Sequence, residues 1–250
     1  MIQKHMNINK SKILSYWIIG KHAVVGALNN PDRINYRLCI TAENYEKIQT
    51  NNIKLEPEIM SRAEISKLTN NNIHQGLALL TKPLEKKNLN NYLNKNKKQI
   101  FIILDQINDS QNVGAIIRSA AAFNASGIII LDKNSPNENS ALSKAAAGTL
   151  EIMPLFRVSN LVQTIKLLKQ NNFWTVGLEA KAIKTLKEIN ESTKIFSENV
   201  AIVMGSESKG IRSLVKDNCD ITAKINIKNS IESLNVSVAL AISLYEMNRS

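Results

Sequence analysis

The chain has 250 residues, 44% hydrophobic and 21% charged, the balance of a globular protein rather than a disordered one. Basic side chains outnumber acidic ones 32 to 21, a formal net charge of +11. No stretch approaches the ~20 apolar residues that a membrane-spanning helix needs, and no membrane partner is expected.

The opening MIQKHMNINKSK is polar, lacks the apolar core of a secretory signal, and is expected to be loose over residues 1–15. The reading continues with a helix over Lys21–Leu28 and a strand over Arg37–Thr41. Ser61 and Glu64 have capping-box spacing and predict a helix start. His74-Gln75-Gly76 then turns into a strand over Leu77–Leu80. These elements make a small α/β domain over residues 16–82. The segment KPLEKKNLNNYLNKNKKQ that follows is rich in Lys and Asn, and residues 83–99 read as a linker with one short helix.

From residue 100 short apolar strands alternate with helices: strand 101–104, helix Val113–Phe123, strand 128–131, helix Ala141–Ala147 and strand Ile152–Val158. Helix Leu161–Lys169, strand Phe173–Leu178 and strand Val200–Met204 continue the pattern. Such alternation predicts an α/β domain over residues 100–250, with a parallel sheet covered on both faces. The last helix, about Leu234 to Met247, is apolar almost all round, so it belongs inside the fold or against a second subunit.

Charge divides unevenly along the chain. Residues 1–98 carry 16 basic and 7 acidic side chains, whereas residues 99–250 carry 16 and 14. A bias toward Lys, Asn and Ile codons accounts for many lysines but not for their uneven spread, which points to a polyanion such as nucleic acid. Cys39 and Cys219 stand 180 positions apart, so neither a CxxC zinc pair nor a disulfide framework is available. A reducing, cytoplasmic protein without a metal site is expected. Both cysteines read as small buried hydrophobes. His5 and His22 are assigned no chemistry, while His74 opens a turn.

Three loops carry the candidate site. In the first, DQINDSQNVGAIIRS (105–119), Asn112 reads as a helix N-cap and Gly114 permits close approach. Arg118, set among Ile116, Ile117, Ala120 and Ala121, suits an anion or a fixed carbonyl; an exposed salt bridge is the plain alternative. The second, MGSESKGIR (204–212), is glycine-rich. It is no P-loop, and no GxGxxG follows the first strand of the sheet. The third, INIKNSIESLNVS (225–237), brings Ser233 and Asn235 to the start of the apolar last helix.

The segments NVGAIIRSAAAF (112–123), VMGSESKGIRSL (203–214) and SLNVSVALAISLYE (233–246) together resemble the SpoU/TrmH family of RNA ribose 2′-O-methyltransferases. WIIGKHAVVGAL (17–28) and HQGLAL (74–79) are similar to that family's substrate-binding domain. The combination is most similar to the group that methylates a guanosine of 23S rRNA. The resemblance implies a SPOUT domain closed by a C-terminal deep trefoil knot, a rare exception to the rules of fold topology, joined to a small L30e-like N-terminal domain. It implies S-adenosylmethionine as cofactor, contacted by Gly205, Ile225 and Leu234, and a homodimer with its active site at the interface. Arg118 and Asn112 match the catalytic pair. Because guanidinium stays protonated, Arg118 is read as phosphate anchor and oxyanion stabiliser rather than base. Glu207 is implied to fix the cofactor loop, and Ser233 and Asn235 to order the site. Asn226 and Asn229 stand where relatives usually carry Pro and Gly. Two alternatives remain: the same chemistry on tRNA, and a non-catalytic ribosome-assembly factor, which would show a broken site where Asn112, Arg118, Gly205 and Glu207 are all present.

Overall fold

The computed structural model describes residues 14–48, 55–70, 72–93, 96–228, 230 and 232–249. His5, Asn229 and most of the segment expected to be loose lie outside the described residues. Two sheets organise the chain. The first contains β1 (Tyr16–Ile19), α1 (Lys21–Asn29), β2 (Asn35–Ile40), α2 (Ala42–Lys47), β3 (Pro57–Ile59), α3 (Arg62–Leu68) and β4 (Leu77–Thr81). Its strand order is β1-β4-β2-β3, with β4 antiparallel to both neighbours and β3 parallel to β2. The Ser61–Glu64 capping box forms: the Ser61 hydroxyl accepts from the Glu64 N–H, and the Glu64 carboxylate accepts from the Ser61 N–H at 2.8 Å.

The second sheet is wholly parallel, as its continuous apolar strands predict. Its elements are β5 (Ile100–Asp105), α4 (Ser110–Ala122), β6 (Gly127–Leu131), α5 (Ser140–Ala146), β7 (Leu155–Val158) and α6 (Leu161–Gln170). They continue with β8 (Phe173–Leu178), α7 (Leu186–Thr193), β9 (Asn199–Gly205), α8 (Ser213–Lys216), β10 (Ile221–Ala223) and α9 (Val236–Asn248). The strand order is β10-β8-β9-β5-β6-β7. Alternate residues of each strand face opposite layers. Ile100, Ile102 and Leu104 pack under α4, α5, α7 and α9, while Phe101 and Ile103 pack under α6 and α8.

Four expectations are corrected. The strand expected from Ile152 begins only at Leu155, because Thr149–Glu151 form a 3-10 turn and Pro154 follows it; Ile152 is exposed. The last helix begins at Val236 rather than Leu234, since Asn235 caps it through Ser237 N–H. α4 starts three residues earlier than expected, at Ser110, with Asp109 as its cap. The short helix expected in the Lys/Asn-rich segment is a single 3-10 turn, Leu89–Tyr92, which buries Leu89 and sets the Tyr92 ring edge-on to Phe156 at 4.9 Å.

Buried polar contacts join the two sheets' domains. Arg33 on the first grips Glu151 with two nitrogens, at 2.7 and 3.0 Å, and Glu138 at 2.8 Å. Tyr16 donates to Glu138, and Asn30 to Glu151. Burial alone would lower the Arg33 pKa, but the Glu151 hydrogen bond and the surrounding carboxylates raise it above its ordinary value. Beside this cluster α1 lies almost on the 147–148 turn: a Cβ on Gly26 would stand 2.9 Å from Gly148 Cα.

Candidate active site

In open α/β sheets, ligands gather where the strands end at their carboxyl sides. Here β5 ends in Asp105, β9 in Gly205 and β10 in Ala223, each opening into one of the three sequence motifs. Asp105 is fully buried, a costly place for a carboxylate unless it is paired. Arg212 satisfies it, with its backbone N–H at 2.9 Å, Nε at 2.8 Å and an Nη nitrogen at 2.7 Å. This pair fixes the far end of the 205–212 loop to the end of β5. Ser206 and Gly210 bridge across the same loop. A Cβ on Gly205 would sit 2.0 Å from the Gly210 carbonyl carbon, so only glycine fits there.

The loop delivers Glu207 to the start of α9. One carboxylate oxygen of Glu207 accepts from Asn112 Nδ2 at 3.2 Å, Asn235 Nδ2 at 2.8 Å and the Val236 N–H at 3.3 Å. Asn235 Nδ2 also donates to Asn112 Oδ1 at 2.9 Å, and Asn235 Oδ1 caps α9 by accepting from Ser237. A carboxylate at a helix N-terminus is favoured by the exposed N–H groups there. One residue from each motif therefore meets in one hydrogen-bonded triangle: Asn112, Glu207 and Asn235.

Asn112 is not the N-cap that its position suggested. Asp109 caps α4 by accepting from Gln111 N–H at 2.9 Å, and this leaves the Asn112 amide free to join the triangle. Arg118 does not lie beside Asn112. Six residues turn an α-helix through about 240° net, so the two side chains leave α4 in different directions. Arg118 is exposed and, among the described residues, has no hydrogen bond or ion pair, so the salt-bridge alternative finds no partner there. Ser233 is exposed and outside the triangle. Ile225 is half-buried against the core that contains Met204 and Val236; Gly205 follows Met204, and Leu234 precedes Val236 by two residues. These positions converge on the same end of the sheet. Asn226 is exposed.

Sequence reasoning passed over Asp105 and Arg212. The available signal was an acid ending an otherwise apolar strand, which requires a buried partner. Burial pushes the Cys219 thiol up to about 12 and raises that of Cys39, so neither presents a thiolate nucleophile near neutral pH. Among the described residues no cluster of His, Cys, Asp and Glu could hold a metal ion, and no helix is long and apolar enough to cross a membrane.

Two family models match the chain: the SpoU rRNA methylase family over residues 99–245, and the RNA 2′-O ribose methyltransferase substrate-binding domain over residues 17–87. The 23S rRNA (guanosine-2′-O-)-methyltransferase RlmB of Coxiella burnetii is 34% identical over 96% of this chain and 96% of its own length. A Staphylococcus epidermidis protein named for the TrmH family of tRNA/rRNA methyltransferases is 34% identical over 93% of this chain and 94% of its own. The fold is that of the SpoU methyltransferase AviRb from Streptomyces viridochromogenes, solved with AdoMet. Its TM-score is 0.78 at 18% identity, covering 94% of this chain and 89% of that one. An AdoMet-bound rRNA methyltransferase from Sinorhizobium meliloti gives a TM-score of 0.71 at 22% identity, over 94% and 87%. With its motifs gathered into one site and these matches spanning nearly its whole length, the chain belongs to the SpoU family of RNA 2′-O-methyltransferases.

Proposed function

We propose that this protein transfers a methyl group from S-adenosylmethionine to the ribose 2′-oxygen of a guanosine in 23S rRNA, acting in the cytoplasm as a homodimer. The observation that carries the reading is the Asn112–Glu207–Asn235 triangle, which ties all three motifs together on the helix that also displays an unpaired Arg118.

The residues present fit the cofactor. Ile225 and Leu234 offer half-buried apolar surface for an adenosine, and the tight Gly205 turn keeps side-chain bulk out of the strand end. Bound there, S-adenosylmethionine supplies an electrophilic methyl group. Arg118 holds an RNA phosphate and stabilises charge developing on the ribose 2′-oxygen, whose proton leaves to water. Pre-placed charge of this kind is among the largest contributions to catalysis. Asn112, Glu207 and Asn235 act as positioning residues that hold the loop and the two helices in register. Ser233 is assigned an ordering role at the cofactor's edge.

Several features support the rest of the reading. From β10 at the sheet edge, the chain returns to pack α9 against α4, and α9's first turn is tied to the loop after β9, a return that supports the knotted reading. Val238, Ile242 and Tyr245 are exposed along one stripe of α9, an apolar face suited to a second copy of the chain. Residues 16–82 form the RNA-binding domain, of L30e-like type, joined through 83–99 to the methyltransferase domain of 100–250. Phosphate contacts there supply affinity and salt dependence rather than sequence choice. Ribosomal RNA is favoured by the Coxiella burnetii relative, while the Staphylococcus epidermidis relative's name keeps tRNA as the second reading.

The test is to map the methyl group after transfer from labelled cofactor to unmodified 23S rRNA. A 2′-O-methyl group blocks alkaline cleavage of the adjoining phosphodiester. Label in alkali-resistant dinucleotides beginning with guanosine is expected; label on a base would overturn the reading.

A further inference from the structure

On the first domain, away from the methyl-transfer motifs, Lys21, His22, Asn44, Arg62 and Gln75 line an open groove of about 390 Å3. Four elements build it: the start of α1, α2 through Asn44, the start of α3 and the 74–76 turn. The turn is rigidly made. Gln75 and Gly76 both have positive φ, 54° and 79°, and the His74 ring accepts from the Gly76 N–H while its other nitrogen pairs with Ser66. Two amide side chains are held in fixed orientation. Gln75 Oε1 accepts from the Lys21 N–H at 3.1 Å, and Asn44 Nδ2 donates to the Gln75 carbonyl at 2.9 Å and to Thr41. These bonds leave Gln75 Nε2 as a donor and Asn44 Oδ1 as an acceptor, the donor–acceptor pair that reads a base edge. Lys21 and Arg62 supply positive charge at the same groove. Among the described residues Arg62 pairs with Glu43, at an exposed 3.4 Å contact that an RNA phosphate can displace.

We propose that this groove takes one nucleotide of the RNA substrate, its phosphate held by Lys21 and Arg62 and its base edge read by Asn44 and Gln75, with the His22 ring available for stacking. The proposal rests on the RNA reading above and deepens it. The groove lies on the flank of the catalytic helix. α1 abuts α5 and the 147–148 turn, Lys144 of α5 donates to the Ile73 carbonyl, and α5 packs tightly on α4 at Gly114, where a Cβ would meet the Leu142 carbonyl oxygen at 2.5 Å. Helix axes pack about 8–10 Å apart, so two such steps separate the groove from α4 by roughly 15–20 Å. The bound nucleotide is therefore several positions from the target ribose, and the groove sets which ribose reaches Arg118.

The experiment uses the full chain and measures RNA affinity directly, without cofactor, at several salt concentrations, alongside methyl transfer. Lys21→Ala/Arg62→Ala is expected to weaken RNA binding at least about tenfold. It should flatten the slope of log affinity against log salt by about 1.4, at ~0.7 per lost contact on a single strand. The KM for RNA should rise with kcat at saturating RNA and cofactor affinity unchanged. Lys21→Arg/Arg62→Lys, which keeps both charges, should retain most of the affinity. Gln75→Glu keeps the acceptor that Lys21 uses but removes the donor, so it should alter preference between guanosine and other bases in short oligomers. RNA affinity equal to wild type in the double alanine variant would overturn the proposal. So would an equal loss in Lys166→Ala/Lys187→Ala, which removes the same charge from α6 and α7. A wild-type protein that binds RNA through the groove but transfers no methyl group would support the groove and sink the enzymatic reading.

Discussion

At the scale of single residues, the site divides into groups that touch the reaction and groups that hold them. Among the described residues Arg118 has no ion-pair partner; Arg118→Ala should lower kcat by about 10²–10³, the cost of losing one preorganised oxyanion stabiliser. Cofactor affinity, read by calorimetry, should hold. Lysine should rescue only part of the loss, because the two-pronged guanidinium is gone. Near-normal turnover by the alanine variant would remove Arg118 from the reaction. Asn235 has two structural tasks, capping α9 and bonding Glu207 and Asn112. Asn235→Ala should cost about 1–2 kcal/mol in thermal unfolding, in the range of a lost cap, and weaken cofactor binding, whereas Ser233→Ala should leave stability unchanged. The sequence pointed to Asn112, Arg118, Glu207 and Asn235 through motif resemblance, but not to the triangle that Asn112, Glu207 and Asn235 form. Asn112 was misread as a cap because Asn is a preferred capping residue; Asp109, three residues earlier, takes that place and frees it.

At the scale of elements, periodicity predicted the parallel sheet well because β5, β6 and β9, buried on both faces, leave nothing polar in their middle. The boundaries were harder. A single proline and a 3-10 turn shortened β7, and a capping asparagine delayed α9. α7 was passed over, although Thr185 and Glu188 form a second capping box; only Leu186 and Ile189 of its residues are buried, so its apolar signal is thin. The uniformly apolar α9 was correctly marked as unusual, yet Val238, Ile242 and Tyr245 remain exposed in the single chain. The tightest local constraint is Gly205. Gly205→Ala should abolish measurable cofactor binding while the circular dichroism spectrum stays native-like, because a Cβ would meet the Gly210 and Ile211 backbone within 2.3 Å and force the 205–210 loop open. Wild-type cofactor affinity in that variant would show that the loop does not shape the site.

At the scale of the whole molecule, the uneven charge and the Lys/Asn-rich segment suggest a division of the chain, but not the contacts that join its two sheets. At the centre of those contacts is Arg33, buried between Glu138 and Glu151, a pairing across more than 100 residues that no local pattern announces. Arg33→Ala leaves two buried carboxylates without their cation and should destabilise the protein by about 3–5 kcal/mol, measured by chemical denaturation. Restoring neutrality with Glu138→Gln/Glu151→Gln in the same chain should recover part of that loss. An Arg33→Ala chain as stable as wild type would mean that the two domains do not depend on this joint.

The central claim is that the Arg118 site methylates a ribose of ribosomal RNA, and the most direct measurement offers unmodified 23S rRNA and unmodified tRNA side by side with labelled S-adenosylmethionine. Label at a guanosine 2′-oxygen of the 23S rRNA, lost in Arg118→Ala, is the predicted result. Label confined to tRNA would contradict the choice of substrate, and no transfer to either, with no cofactor bound, would contradict the account as a whole.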